Sequence, residues 1–153
     1  MTTIQSDQTL QHGPTPDTAI KDSLQILDDA LDQTAAYSRG ATFFELVDRE
    51  LRRLHAHVRA HHATACLQPP LSGGVVPDEV ANEWARLRDE HPRILAQLDW
   101  LIRHVELVSD HPLENHDPFV LRMRELIAVL RRHDAEEERV YTIALWHDTG
   151  GES

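Results

Sequence analysis

The sequence predicts an all-α protein, an up-down-up-down antiparallel four-helix bundle. Four segments repeat apolar residues every three or four positions, and stretches rich in proline and glycine separate them. Neither strand-like alternation nor βαβ punctuation appears. Short connections make successive helices antiparallel neighbours. The chain of 153 residues is 41% hydrophobic, which is enough to build one core and therefore one domain.

The bundle is expected to occupy residues 17–147, between two flexible tails. Residues 1–16 have no apolar period and end in GPTP, which predicts an unstructured N-terminal tail. Residues 148–153 contain the helix-stopping TGG and form the expected C-terminal tail.

The first helix is predicted to begin at Asp17, a capping residue after Pro16, and to break at residues 38–40. The second begins near Ala41 and ends in LQPPLSGG, which a helix does not tolerate. The two inward stripes consist of Ile20, Leu24, Leu27 and Leu31, then Phe44, Val47, Leu51, Leu54 and Val58.

The third helix is predicted to start at Pro77 and Asp78, a favourable first-turn pair, and Pro92 could kink it. After the connection HPLENHDP, the fourth helix runs from about Pro118 to Trp146. The third helix has the stripe Val80, Trp84, Leu87, Ile94, Leu98, Ile102 and Val105, and the fourth has Met123, Leu126 and Leu130.

Charge and composition exclude several classes of partner. The formal net charge is -11 with no opposing basic cluster, which argues against nucleic acid and anionic membranes. Cys66 is the only cysteine, so no internal disulfide forms. The polar N-terminus does not resemble a signal peptide, and no apolar run reaches the ~20 residues that span a bilayer. A cytoplasmic location is the default expectation.

Polar side chains continue the apolar stripes of three helices. The fourth stripe leads to His133 and Glu137, the second to His57 and His61, and the third to His91. His91 lies about eighteen residues before the end of its helix and His133 about sixteen after the start of its own, so at ~1.5 Å per residue they are within ~3 Å of one height. One polar layer across three helices is predicted.

Such a layer needs a partner, because each buried polar group left unsatisfied costs roughly 1 to 3 kcal/mol. Imidazole and carboxylate are the ligands that iron, zinc, manganese and copper favour, and bundles hold these ions with inward-facing side chains. A lone histidine in a stripe is usually a hydrogen-bonded core residue, so the metal prediction depends on the aligned set.

Other histidines are predicted to lie outside the polar layer. His55 and His62 share a face with Arg52 and Arg59 and are expected to be exposed. The position of His104 is ambiguous.

These motifs resemble the hemerythrin-like, or HHE cation-binding, domains over residues 17–146. EHPRIL around Glu90 and His91 is similar to the family's third-helix motif, and LRRHDAEEERVY provides a histidine followed four residues later by glutamate. LRRLHAHVRAHH occupies the place of the first His-x-x-x-Glu, with His57 matching its histidine. The resemblance implies a non-heme iron site, typically di-iron, that binds or senses oxygen or related molecules or handles iron.

The sequence departs from that family pattern at two places. His61 stands where a glutamate is typical, and the first helix has no histidine, with only Asp22 available at the expected level. Losing a bridging carboxylate removes negative charge that would offset two metal ions, which favours one divalent ion or an asymmetric pair. Asp134 and Glu136 are predicted to accept hydrogen bonds from the imidazoles, and Tyr141 to line the pocket or pack beside it.

The resulting hypothesis is a metal-binding protein with ligands His57, His61, His91, His133 and Glu137. Iron is the expected metal, mononuclear or dinuclear, with zinc or manganese also compatible. The expected partner is a small diatomic ligand such as oxygen or nitric oxide. No separate general base or substrate cleft is evident, which favours binding or sensing over catalysis. The alternative is a degenerate, metal-free bundle with a structural or protein-interaction role.

Overall fold

A computed structural model describes residues 16–33, 40–67, 77–110 and 116–149. They form four helices: α1 (Pro16–Gln33), α2 (Ala41–Leu67), α3 (Asp78–Ser109) and α4 (Asp117–Thr149). Each helix packs against the next along the chain, and α4 also contacts α1. The predicted four-helix bundle is confirmed, and the described ranges contain no strand.

The helix ends agree closely with the sequence signals. Helix α2 begins at Ala41 as predicted, and α1 includes Pro16, whose fixed φ suits a first helical position. Helix α3 passes through Pro92, and α4 extends beyond Trp146 to Thr149. Apart from Pro16, Asp148 and Thr149, the two predicted tails lie outside the described residues.

Within the described ranges, the buried apolar side chains form two clusters. The larger takes residues from all four helices, and each fully buried leucine contributes about 1.5 to 3 kcal/mol of transfer free energy. The smaller belongs to α3 and α4: Val80, Leu87, Val140 and Ala144, with Trp84 and Ile143 partly buried against them. Along both helices the predicted polar layer falls between these clusters.

None of the four helices, over the residues described, has the long apolar stretch that spanning a bilayer requires.

Ion pairs link the exposed faces of neighbouring helices. Arg86 of α3 contacts Glu136 of α4 with a nitrogen to oxygen distance of 2.7 Å, and Arg131 of α4 contacts Asp28 of α1 at 2.8 Å. Exposed pairs of this kind contribute about 0 to 1 kcal/mol each, so the apolar clusters dominate stability.

Candidate metal centre

Four of the five predicted ligands come together in the polar layer. His91 of α3 is 5% exposed, and His133 and Glu137 of α4 are 2% and 7% exposed. His61 of α2 lies beside them and is half-buried. The four side chains meet because their positions continue the helical stripes that bury the leucines above and below them.

Three atoms of this group form a nearly equilateral triangle. His91 Nε2 lies 3.1 Å from His133 Nε2 and 3.1 Å from Glu137 Oε1, and His133 Nε2 lies 2.9 Å from the same carboxylate oxygen. Octahedral ligands at roughly 2.1 Å from a metal are separated by about 3.0 Å along each edge of a face. The triangle therefore has the dimensions of one face of an octahedral coordination shell.

Both ring nitrogens of His133 face carboxylates. Its Nδ1 donates to Glu90 Oε2 at 3.0 Å, while its Nε2 lies 2.9 Å from Glu137 Oε1. With the proton on Nδ1, a neutral imidazole would direct a lone pair from Nε2 at a carboxylate oxygen. A second proton or a metal cation must lie on that nitrogen. Burial alone would lower the pKa of His133, but the hydrogen bonds to Glu137 and Glu90 raise it overall.

His61 has the same kind of environment at the edge of the layer. Its Nε2 donates to Glu137 Oε2 at 2.7 Å, and its Nδ1 lies 2.8 Å from Asp17 Oδ1 of α1. The hydrogen bond to Glu137 raises the pKa of His61 against the opposing effect of burial. Helix α1 thus reaches the centre through an acidic residue in its first turn, although it has no histidine.

Glu137 connects the whole group. One carboxylate oxygen contacts His91 and His133, and the other contacts His61. Burial alone would raise the pKa of Glu137, but hydrogen bonds from the three imidazoles hold it well below its usual value. Glu137 is therefore an anion inside the bundle and attracts a cation.

The prediction that His62 is exposed was wrong: it is 5% exposed and stacks on His91 with ring centroids 3.6 Å apart. At about 100° per residue, His62 follows the fully buried Val58 by one turn, and this signal outweighs the arginines nearby. Its buried Nδ1 has no hydrogen-bond partner among the described residues. Burial and the neighbouring imidazoles lower the pKa of His62 to about 3.

Three buried histidines could hold a metal ion. One ring nitrogen from each of His62, His91 and His133 lies within 4.8 Å of the others. The unpartnered Nδ1 of His62 and the buried Glu137 carboxylate suit a cation, because imidazole nitrogens and carboxylate oxygens are ligands that divalent transition metals favour. The residues present therefore fit a divalent metal.

The remaining predicted residues lie at the margin or outside the layer. His57 is half-buried and is not a member of the three-histidine cluster. It lies about 100° around α2 from Val58 and about 120° from Leu51, two members of the buried face. His55 was predicted to be exposed, but its side chain is only 24% exposed, and its Nε2 lies 3.0 Å from Asp99 Oδ1. Asp22 is exposed.

The imidazoles have different carboxylate partners from those predicted. Asp134 pairs with Lys21 at 3.4 Å, and Glu136 pairs with Arg86 at 2.7 Å. Glu90 and Asp17 occupy the positions beside His133 and His61 instead. Sequence periodicity could not identify them, because each reaches across from a different helix.

The fold and the centre together define the class of protein: a four-helix bundle with three buried histidines that could hold a metal, next to the buried Glu137. Comparison of the chain with models of protein families, with curated proteins and with solved structures found no match.

Proposed function

We propose that this protein is a non-heme metal-binding bundle, similar to hemerythrin-like domains, that binds or senses a small diatomic molecule at one divalent ion. Iron(II) is the preferred metal, and zinc or manganese are the alternatives. His91, His133 and Glu137 would hold the metal, with His62 as a further ligand. The metal ion, when bound there, would accept a small exogenous ligand such as oxygen or nitric oxide.

The observation that carries this proposal is the triangle of two imidazole nitrogens and one carboxylate oxygen. Two histidines and one carboxylate on one face of an octahedron are the arrangement by which proteins hold iron(II) while leaving positions open. The edges of 2.9 and 3.1 Å match that face, and all three side chains are buried. The triangle contains one carboxylate, that of Glu137, and this small negative charge favours one divalent ion over a pair.

Charge balance also supports a divalent ion. Without metal, His61 and His133 each face two carboxylates, and the raised pKa of each ring favours the imidazolium form. A divalent cation on His133 Nε2 displaces the proton there, so the layer gains less positive charge than the ion carries.

Metal analysis of untagged protein tests the proposal. After anaerobic incubation with iron(II) and desalting, we expect about one equivalent of iron, and nitric oxide should change the absorption spectrum of the loaded protein. Glu137→Gln and His133→Ala should retain less than about a tenth of an equivalent. His57→Ala is the matched control, because it removes an imidazole from α2 outside the triangle. Equal loading of all variants would reject the site.

The second candidate is a metal-free bundle with a structural or protein-interaction role. The observation that favours it is the closed network in which Glu137, Glu90 and Asp17 accept hydrogen bonds from His61 and His133. Protonated histidines could satisfy these carboxylates without a metal. Failure of wild-type protein to bind iron, zinc or manganese would favour this candidate.

A further inference from the structure

A cavity of about 520 Å³ lies against the histidine and glutamate centre. All four helices contribute to its lining, and His61 and Glu137 belong to both the cavity and the centre. A diatomic molecule is roughly the size of a water, about 30 Å³, and would leave most of this volume empty. Cavities of roughly 300 to 1,000 Å³ are the size in which proteins bind organic molecules.

Two aromatic rings form part of the cavity wall. Trp84 of α3 and Tyr141 of α4 meet edge to face, with ring centroids 6.1 Å apart and an interplanar angle of 70°. Trp84 is held in place by the smaller apolar cluster, whereas Tyr141 is 42% exposed. Aromatic faces attract an organic cation as well as the apolar body attached to it.

The charges that line the cavity leave one carboxylate unpaired. Lys21 pairs with Asp134 at 3.4 Å, and His61 contacts both Asp17 and Glu137. Glu138 also lines the cavity, and its carboxylate forms no ion pair with any residue in the described ranges. The lining therefore has uncompensated negative charge next to its aromatic pair.

From this arrangement we propose that the cavity binds a small organic amine, with its ammonium group at Glu138 and its body against Trp84 and Tyr141. This amine site is separate from the proposed metal site and does not require a bound metal, because none of these three residues belongs to the proposed set of metal ligands. An organic anion is disfavoured, since Lys21 is already paired and four carboxylate residues line the cavity: Asp17, Asp134, Glu137 and Glu138.

Calorimetric titration of the full-length, metal-free protein tests the proposal with two probes of similar size and opposite charge, benzylamine and benzoate. We expect benzylamine to bind in the millimolar range or tighter and benzoate to bind at least about tenfold more weakly. Benzoate binding as tightly as benzylamine, or no heat from benzylamine at millimolar concentrations, would overturn the proposal.

Matched variants locate the bound amine. Glu138→Gln removes the unpaired carboxylate and should weaken benzylamine binding about two- to fivefold. Glu125→Gln is the control, because it makes the same charge change on α4 in the lining of a different cavity, beside Trp100, and should leave the affinity unchanged. Equal weakening by both variants would show a non-specific charge effect and reject the assigned position.

Tyr141→Ala provides a second test at an exposed position where folding is not threatened. Loss of the ring should reduce benzylamine affinity severalfold, and circular dichroism should show unchanged helix content. An unchanged affinity would contradict the role of the aromatic wall. Because every titration uses metal-free protein, a failure here does not affect the metal proposal, and a failure of metal loading does not affect this one.

Discussion

The imidazole rings of His62 and His91 stack face to face, with centroids 3.6 Å apart and an interplanar angle of 7°. Two imidazolium ions would repel each other strongly at this distance in a buried site. Burial and the neighbouring imidazoles lower the pKa of His62 to about 3, so the ring of His62 is neutral, which is the form that binds metals. The packing of α2 against α3 brings the two rings together in the cluster of histidines that could hold a metal.

The metal-free protein should lose stability in mild acid because of His62. Its pKa is about 3 in the folded protein and 6.5 ordinarily, so below pH 6.5 the unfolded chain binds a proton that the folded chain does not. The raised pKa values of His61 and His133 have the opposite sign, and their stabilisation is fully present below pH 6.5 and is lost as pH rises through their folded values.

We therefore expect the free energy of unfolding to decrease between pH 6.5 and 5, and His62→Phe to flatten that decrease. Phenylalanine keeps an aromatic ring against His91 without a titrating nitrogen. Denaturant titrations in the presence of a chelator at several pH values provide the measurement. An equally steep decrease in the variant would show that His62 is not the source.

Metal binding should release protons. His61 and His133 have raised pKa values in the metal-free state, and a cation at Glu137 competes with their protons, so affinity should increase as pH rises. Calorimetry in two buffers of different ionisation enthalpy should detect a release of protons near neutral pH, with His133 as one source. Affinity and heat that do not depend on pH or buffer would contradict the arrangement around Glu137.

Loading with metal should raise the melting temperature of the wild-type protein, since a ligand of the folded state stabilises it. At a free metal concentration of 100 times Kd the gain in unfolding free energy is about 2.7 kcal/mol. His133→Ala should abolish the increase, and His57→Ala should keep it. Thermal unfolding followed by circular dichroism, with and without chelator, measures both.

Glu90 should tune the metal site without binding the metal. It accepts the Nδ1 hydrogen of His133 at 3.0 Å and so orients the opposite nitrogen towards Glu137. Glu90→Gln should reduce metal affinity about 10- to 100-fold, the usual effect of removing such a partner. Glu136→Gln is the control because Glu136 pairs with Arg86 on the outer face. Competition against a chromophoric chelator compares the two, and equal affinities would exclude a positioning role.

The sequence predicted the four helices and much of the polar layer, because both depend on helical periodicity. His91, His133 and Glu137 continue stripes whose neighbouring members are buried apolar residues, so the sequence predicts that these three side chains point into the bundle. On α2 the same reasoning went astray by following Leu54 to His57. The correct continuation runs from Val58 to His62. Four residues at about 100° each place His62 about 40° past one full turn from Val58, still on the buried face.

The carboxylate partners could not be predicted in the same way. Asp17 and Glu90 reach the imidazoles from α1 and α3, and their contacts depend on the relative heights and rotations of packed helices. The cavity is likewise made by side chains from all four helices. Periodicity within one helix contains no information about such distances.

The most direct test of a metal held by the triangle is a crystal structure of the iron(II)-loaded protein with anomalous data collected across the iron edge. We predict one anomalous peak within bonding distance of His91 Nε2, His133 Nε2 and Glu137 Oε1. A polar layer without a peak, or a peak only at side chains outside the layer such as His57, would contradict the account.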